Sequence, residues 1–108
     1  MKDLDICKRI AEIEGITYEI RKRQERVIEL YDRTRLGKRV TLMREFNPLI
    51  SDSLCYRLMI KYKVLQEGTG NDTFRAVICN WKSKPEYFRG AGDTLNRAIC
   101  LVIIEAHK

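Results

Sequence analysis

Four cysteines, one histidine and a dense group of arginines are the side chains from which any chemistry in this 108-residue chain would start. Cys7, Cys55, Cys79 and Cys100 lie 48, 24 and 21 residues apart and form no CxxC pair. Zinc sites usually begin with two ligands close in sequence, so the spacing argues against a metal. Each cysteine also sits among apolar neighbours, as in Leu54-Cys55-Tyr56 and Ile99-Cys100-Leu101, which suits reduced thiols serving as small core hydrophobes. His107, the only histidine, is one residue from the end, where a positive charge favours a helix C-terminus. Aspartates and glutamates are scattered, without metal-ligand spacing. Gly90-Ala91-Gly92-Asp93 precedes a helical pattern like a phosphate loop but lacks the Gly-x-x-x-x-Gly-Lys-Ser/Thr spacing, so a turn followed by a helix cap is expected. The inventory predicts no catalytic residue, no metal and no cofactor, and the chain reads as a non-enzyme.

Charge is more informative. The chain carries a net +6, and residues 21–44 hold nine basic against three acidic side chains, the same +6. The candidate binding residues there are Arg21, Lys22, Arg23, Arg26, Arg33, Arg35, Lys38 and Arg39, with Arg44 beside them. Arginine forks suit bidentate contact with phosphate or carboxylate. Three readings stay open: a solvated β-ribbon whose charges guard an edge, a surface for nucleic-acid phosphates, and a surface for an acidic protein. Only Tyr18 and Tyr31 lie near as stacking platforms, which sequence-specific RNA recognition usually needs. A second candidate surface is the aromatic and basic loop of Trp81, Lys82, Lys84, Tyr87, Phe88 and Arg89. Aromatics beside Arg and Lys are typical of binding hot spots, although Trp81 equally suits the end of a small core.

The elements that must position these residues follow from periodicity. Ile6, Cys7, Ile10 and Ile13 predict a helix over 3–14, capped by Asp3 or Asp5 and ended by Gly15. Strands are predicted over 16–22, 27–31 and 39–44, with a polar turn or an exposed continuation of the strand at 23–26 and a loop over 32–39. After Asn47-Pro48, a helix starts near Ser51 or Asp52 with Leu54, Cys55, Leu58, Met59 and Tyr62 on one face. Val64-Leu65 can open a short strand, and 68–72 reads as a turn. Residues 73–81 are apolar on both faces and predict a central strand. A loop follows over 82–92, with a short strand at Tyr87-Phe88, and Asp93 caps a last helix, 94–107. The order α-β-β-β-α-β-(β)-α predicts a single α+β domain over 1–108, with a mainly antiparallel sheet and three helices in an α-β-α layered sandwich. A length of 108 residues fits one domain. No apolar signal region opens the chain, and the longest apolar run, 98–104, is far short of the roughly 20 residues that span a bilayer. No membrane association is expected.

Three stretches together carry a resemblance. Asn47-Pro48 with Asp52, Leu54-Cys55, Leu58-Met59 and Lys61 spells N-P-x-x-x-D-x-L-C-x-x-L-M-x-K; a strand ending at Trp81 follows; Arg97-Ala98-Ile99-Cys100-Leu101 runs on to Ile103-Ile104-Glu105-Ala106. The pattern, over residues 46–106, resembles small uncharacterised proteins of tailed phages and prophages of the phage ABA-sandwich type. The resemblance implies an α-β-α layered domain made in the cytoplasm of an infected or lysogenised bacterium, and no established activity. Residues 21–45 lie outside it. The preferred expectation is thus a non-enzymatic phage accessory protein that binds a macromolecule in the host, with inhibition of host machinery or defence as one purpose. The alternatives are nucleic-acid binding through 21–44 and sequestration of a nucleotide at helix N-termini. Partners in these readings are a host or phage protein, or nucleic acid. A homodimer is the further possibility raised by the last helix, which is apolar nearly all round. Such a helix is either deeply buried or at an interface, and Leu101 and Ile104 distinguish the two.

Overall fold

The computed structural model describes residues 1–70, 73–80 and 86–108. In chain order these form α1 (Asp3–Ile13), β1 (Tyr18–Arg21), a 3-10 turn (Lys22–Gln24), β2 (Arg26–Arg35), β3 (Lys38–Glu45), α2 (Asp52–Lys61), β4 (Val64–Gly70), β5 (Thr73–Asn80), β6 (Glu86–Gly92) and α3 (Leu95–Ala106). The protein is α+β, with every strand pairing antiparallel. The strands form two sheets of three, β1-β2-β3 and β4-β5-β6. The chain divides into two compact units, Met1–Asn47 and Pro48–Lys108.

In the first unit, α1 buries Ile6, Cys7, Ile10 and Ala11. Asp3 and Asp5 do not cap it. The N-cap is Lys2, without a side-chain bond, and the two carboxylates lie in the first turn, where the helix dipole favours them. Gly15 takes φ +68°, and the Ile16 amide donates to the Ala11 carbonyl at 3.0 Å, the six-to-one bond of a Schellman ending. β1 pairs with β2 only over Arg26–Glu29. β2 continues to Arg35 and pairs with β3 from Ile28↔Glu45 to Arg35↔Lys38. The loop expected over 32–39 is therefore the far half of a hairpin, closed by Leu36-Gly37 alone. Both turn residues have positive φ, 52° and 75°, the combination whose twist matches that of paired strands.

In the second unit, Ser51 caps α2 by accepting from the Leu54 amide at 3.3 Å. Cys55 and Leu58 are buried, while Leu54, Met59 and Tyr62 are half-buried. β5 is the central strand, as its apolar faces predict, with Ala76 and Ile78 buried and Val77 and Cys79 half-buried on the opposite face. The loop expected before α3 is largely the seven-residue strand β6. Asp93 is not the cap of α3: Thr94 is, its hydroxyl accepting from the Arg97 amide at 3.1 Å. α3 touches β4, β5, β6 and α2. Its buried residues include Ile99, Val102, Ile103 and Ile104, with Leu101 half-buried. Ile104 thus belongs to the core of this chain.

Gly90 explains how α3 comes so close to the sheet. A Cβ there would stand 2.5 Å from the Val102 amide nitrogen and 2.7 Å from the Ala98 carbonyl oxygen. The glycines of the apparent phosphate loop are strand residues that admit a helix backbone. Asn96 fixes the start of α3, its amide donating to the Leu49 carbonyl at 3.2 Å and to Asp52 Oδ1 at 2.9 Å.

Candidate functional site

Strand alternation sorts the basic segment into positions that the sequence alone does not separate. Residues opposite each other in the ladder share a face, and the face repeats every second residue. One face of the β2–β3 ribbon carries Tyr31 opposite Leu42, Arg33 opposite Val40, and Arg35 opposite Lys38. The other carries Asp32 opposite Thr41 and Thr34 opposite Arg39. Beyond Leu30, whose amide still donates to the Thr17 carbonyl at 2.8 Å, only β3 accompanies β2, so residues 31–35 and 38–42 project as two strands, about 17 Å long at roughly 3.3 Å per residue. Every residue from 32 to 40 is exposed.

Acidic partners divide the cations further. Arg39 pairs with Asp32 at 2.7 Å, and the same carboxylate accepts from Thr41 at 3.1 Å, so the second face is neutralised. Arg44 holds Glu29 through both forks, at 2.8 and 3.2 Å, and lies 4.6 Å from the centre of the Tyr31 ring. The Glu29 bond, helped by the charge of that carboxylate, raises the Arg44 pKa further. Arg26 is 3.8 Å from Glu45, and Arg21 is 3.4 Å from Glu19. Among the described residues, no acidic side chain pairs with Arg33, Arg35 or Lys38. These three share one face at the end of the ribbon. A recess of about 430 Å³ at that end is lined by Arg33, Thr34, Arg35, Leu36, Val40 and Leu42. Lys22 and Arg23 occupy the 3-10 turn at the opposite end of β2, about 30 Å away by strand rise. The eight basic candidates are therefore not one patch. The structure gathers Arg33, Arg35 and Lys38, separates Lys22 and Arg23 from them, and engages Arg21, Arg26 and Arg39 with carboxylates.

Of the aromatic and basic loop, Trp81, Lys82 and Lys84 lie outside the described residues. Phe88 is opposite Ile78, on the α3 side of the sheet, and is half-buried. Tyr87, opposite Cys79, and Arg89, opposite Val77, take the other side, where Tyr87 is exposed and Arg89 lies 3.6 Å from Glu67.

Reactive groups elsewhere are occupied structurally. All four cysteines are reduced thiols, and Cys7, Cys55 and Cys100 are buried. A hydrogen bond with Cys100 lowers the Cys55 pKa, against the opposing effects of burial and of Asp52. His107 Nδ1 is 2.7 Å from the Ile103 carbonyl, and its ring meets Tyr62 edge-on at 5.1 Å. Among the described residues, no three His, Cys, Asp or Glu side chains cluster as metal ligands, and no helix is long and apolar enough to cross a membrane.

Sequence reasoning misses Leu36, which is 96% exposed at the apex of the ribbon. The signal that points to it is a two-residue step ending in glycine between runs containing Thr34, Val40 and Thr41. Compared with protein-family models, curated proteins and solved structures, the chain matches none.

Proposed function

We propose that this chain is a non-enzymatic binding protein that grips double-stranded nucleic acid with the projecting β2–β3 ribbon. The observation that carries the proposal is the set of three cations, Arg33, Arg35 and Lys38, without acidic partners among the described residues and on one exposed face. Arg33 and Arg35, two residues apart on a strand, are separated by about 6.8 Å, twice the roughly 3.4 Å axial rise per phosphate of one DNA strand. Two-stranded ribbons also fit the grooves of duplex DNA, major or minor. Residues 46–106 resemble phage ABA-sandwich proteins, and that resemblance supports the wider proposal of a phage accessory protein in the bacterial host cytoplasm, directed at host machinery or defence. Nucleotide sequestration has less support, because the caps of α2 and α3 already engage helix-start amides.

Anisotropy of a labelled 20-base-pair duplex, titrated between 50 and 200 mM salt, tests the proposal. Affinity should fall steeply with salt, and replacing Arg33, Arg35 and Lys38 by alanine should reduce the log–log slope by about 2.7, at about 0.9 per lost phosphate contact. Lys22→Ala with Arg23→Ala should leave the slope near its native value. No duplex binding, or a slope indifferent to the triple change, overturns the reading. An acidic host protein retained through the same three cations would then take its place.

A further inference from the structure

Leu36 combines features that folding alone does not require. It adopts φ 52°, a region that a bulky side chain occupies at a cost and that Asn or Gly fills readily in this turn. Its side chain is 96% exposed, more than any other large apolar residue described. Arg35 and Lys38, which flank the turn, face each other across the ladder, a like-charge opposition that weakens a hairpin. Strain, an exposed apolar group and unneutralised charge thus coincide at the outermost point of the ribbon. Glu25 and Lys63 share this positive φ, so it is the exposed apolar side chain between two cations that sets Leu36 apart. An apolar tip between phosphate-seeking side chains suits the deformation of DNA, in which a leucine-sized wedge enters between base pairs while cations hold the adjacent backbone.

We propose that Leu36 is a wedge that enters a base step of double-stranded DNA from the minor groove, with Arg33, Arg35 and Lys38 on the flanking phosphates, and so kinks the duplex. This inference rests on the ribbon being the nucleic-acid surface. Pyrimidine–purine steps, which unstack most easily, are the preferred points of entry.

The experiment uses the full chain and a duplex of about 30 base pairs, labelled at both ends for energy transfer and carrying 2-aminopurine at a central TA step. The native protein should shorten the end-to-end distance and raise 2-aminopurine emission. Leu36→Asn creates the Asn-Gly turn favoured in hairpins, so its melting temperature should equal or exceed that of the native protein. It should bind with an unchanged salt slope but lose the bend and the emission. Leu36→Gly, which is equally compatible with the turn, should do the same, and Leu36→Phe should retain both signals. Salt-dependent binding without a bend, or a bend that Leu36→Asn preserves, overturns the wedge and leaves the ribbon reading intact. Absence of duplex binding overturns both. Leu36-dependent binding to anionic phospholipid vesicles, with none to the duplex, overturns both and assigns the tip to a lipid surface.

Discussion

Gly90 is the described glycine at which an added Cβ would meet its neighbours most closely. The atoms nearest an added Cβ belong to the α3 backbone, so no rotamer change relieves the clash, and the helix itself must shift. Gly90→Ala should lower stability by about 1–3 kcal/mol, the usual range for overpacking. Gly68, with open space where its Cβ would stand, should accept alanine within about 0.5 kcal/mol. Urea denaturation of the two variants checks the difference, and equal midpoints would mean that α3 is not seated on β6 as described. The same residue shows how a motif misleads. Gly90 and Gly92 resemble an anion loop in sequence because glycine signals close backbone approach without identifying what approaches.

At the scale of elements, α3 is the part of the fold most legible in the sequence. Its apolar positions exceed one face, and the helix answers by touching three strands and α2. Ile99 is 2% exposed, and Ile99→Ala should cost roughly 2–5 kcal/mol by denaturation, according to how far the site collapses. A loss below about 1 kcal/mol would indicate a loosely packed helix. α2 is equally readable from its stripe and from Ser51. The ribbon is not. Arg33, Arg35, Lys38 and Arg39 give 32–39 the polarity of a loop, and Leu36-Gly37 lacks the Asn or Asp that advertises a hairpin turn. The alternation of Val40, Thr41 and Leu42 predicts the strand over 39–44, but residues 32–35 offer no apolar alternation, so the ladder alone reveals how far the pairing runs. The candidate site is legible as composition and illegible as geometry: nine cations can be counted, but their sorting into engaged and unengaged sets depends on register.

For the whole molecule, the three unengaged cations also affect association. Among the described residues, both edges of the projecting ribbon are unpaired, and charge is a common means of keeping such edges apart. Replacing Arg33, Arg35 and Lys38 with alanine takes the net charge from +6 to +3. At low salt this variant should self-associate more than the native protein, seen as a higher scattering mass at equal concentration. An unchanged mass would mean that the edges are kept apart by something other than these charges. If the mass rises while duplex affinity and its salt slope stay native, edge protection is the main role of the three residues.

The ribbon also constrains how its length can evolve. Removing one residue from each strand would carry every side chain beyond the cut to the opposite face, exchanging the outward faces of Arg33 and Thr34. Removing two from each strand keeps the faces and shortens the arm by about 7 Å. Viable lengths therefore come in discrete steps, each a balanced pair of double deletions or insertions, while an unbalanced insertion or deletion in one strand must be absorbed as a bulge or shifts the register. Homologous arms should differ in reach by such increments, with the charged face and the turn conserved at every length.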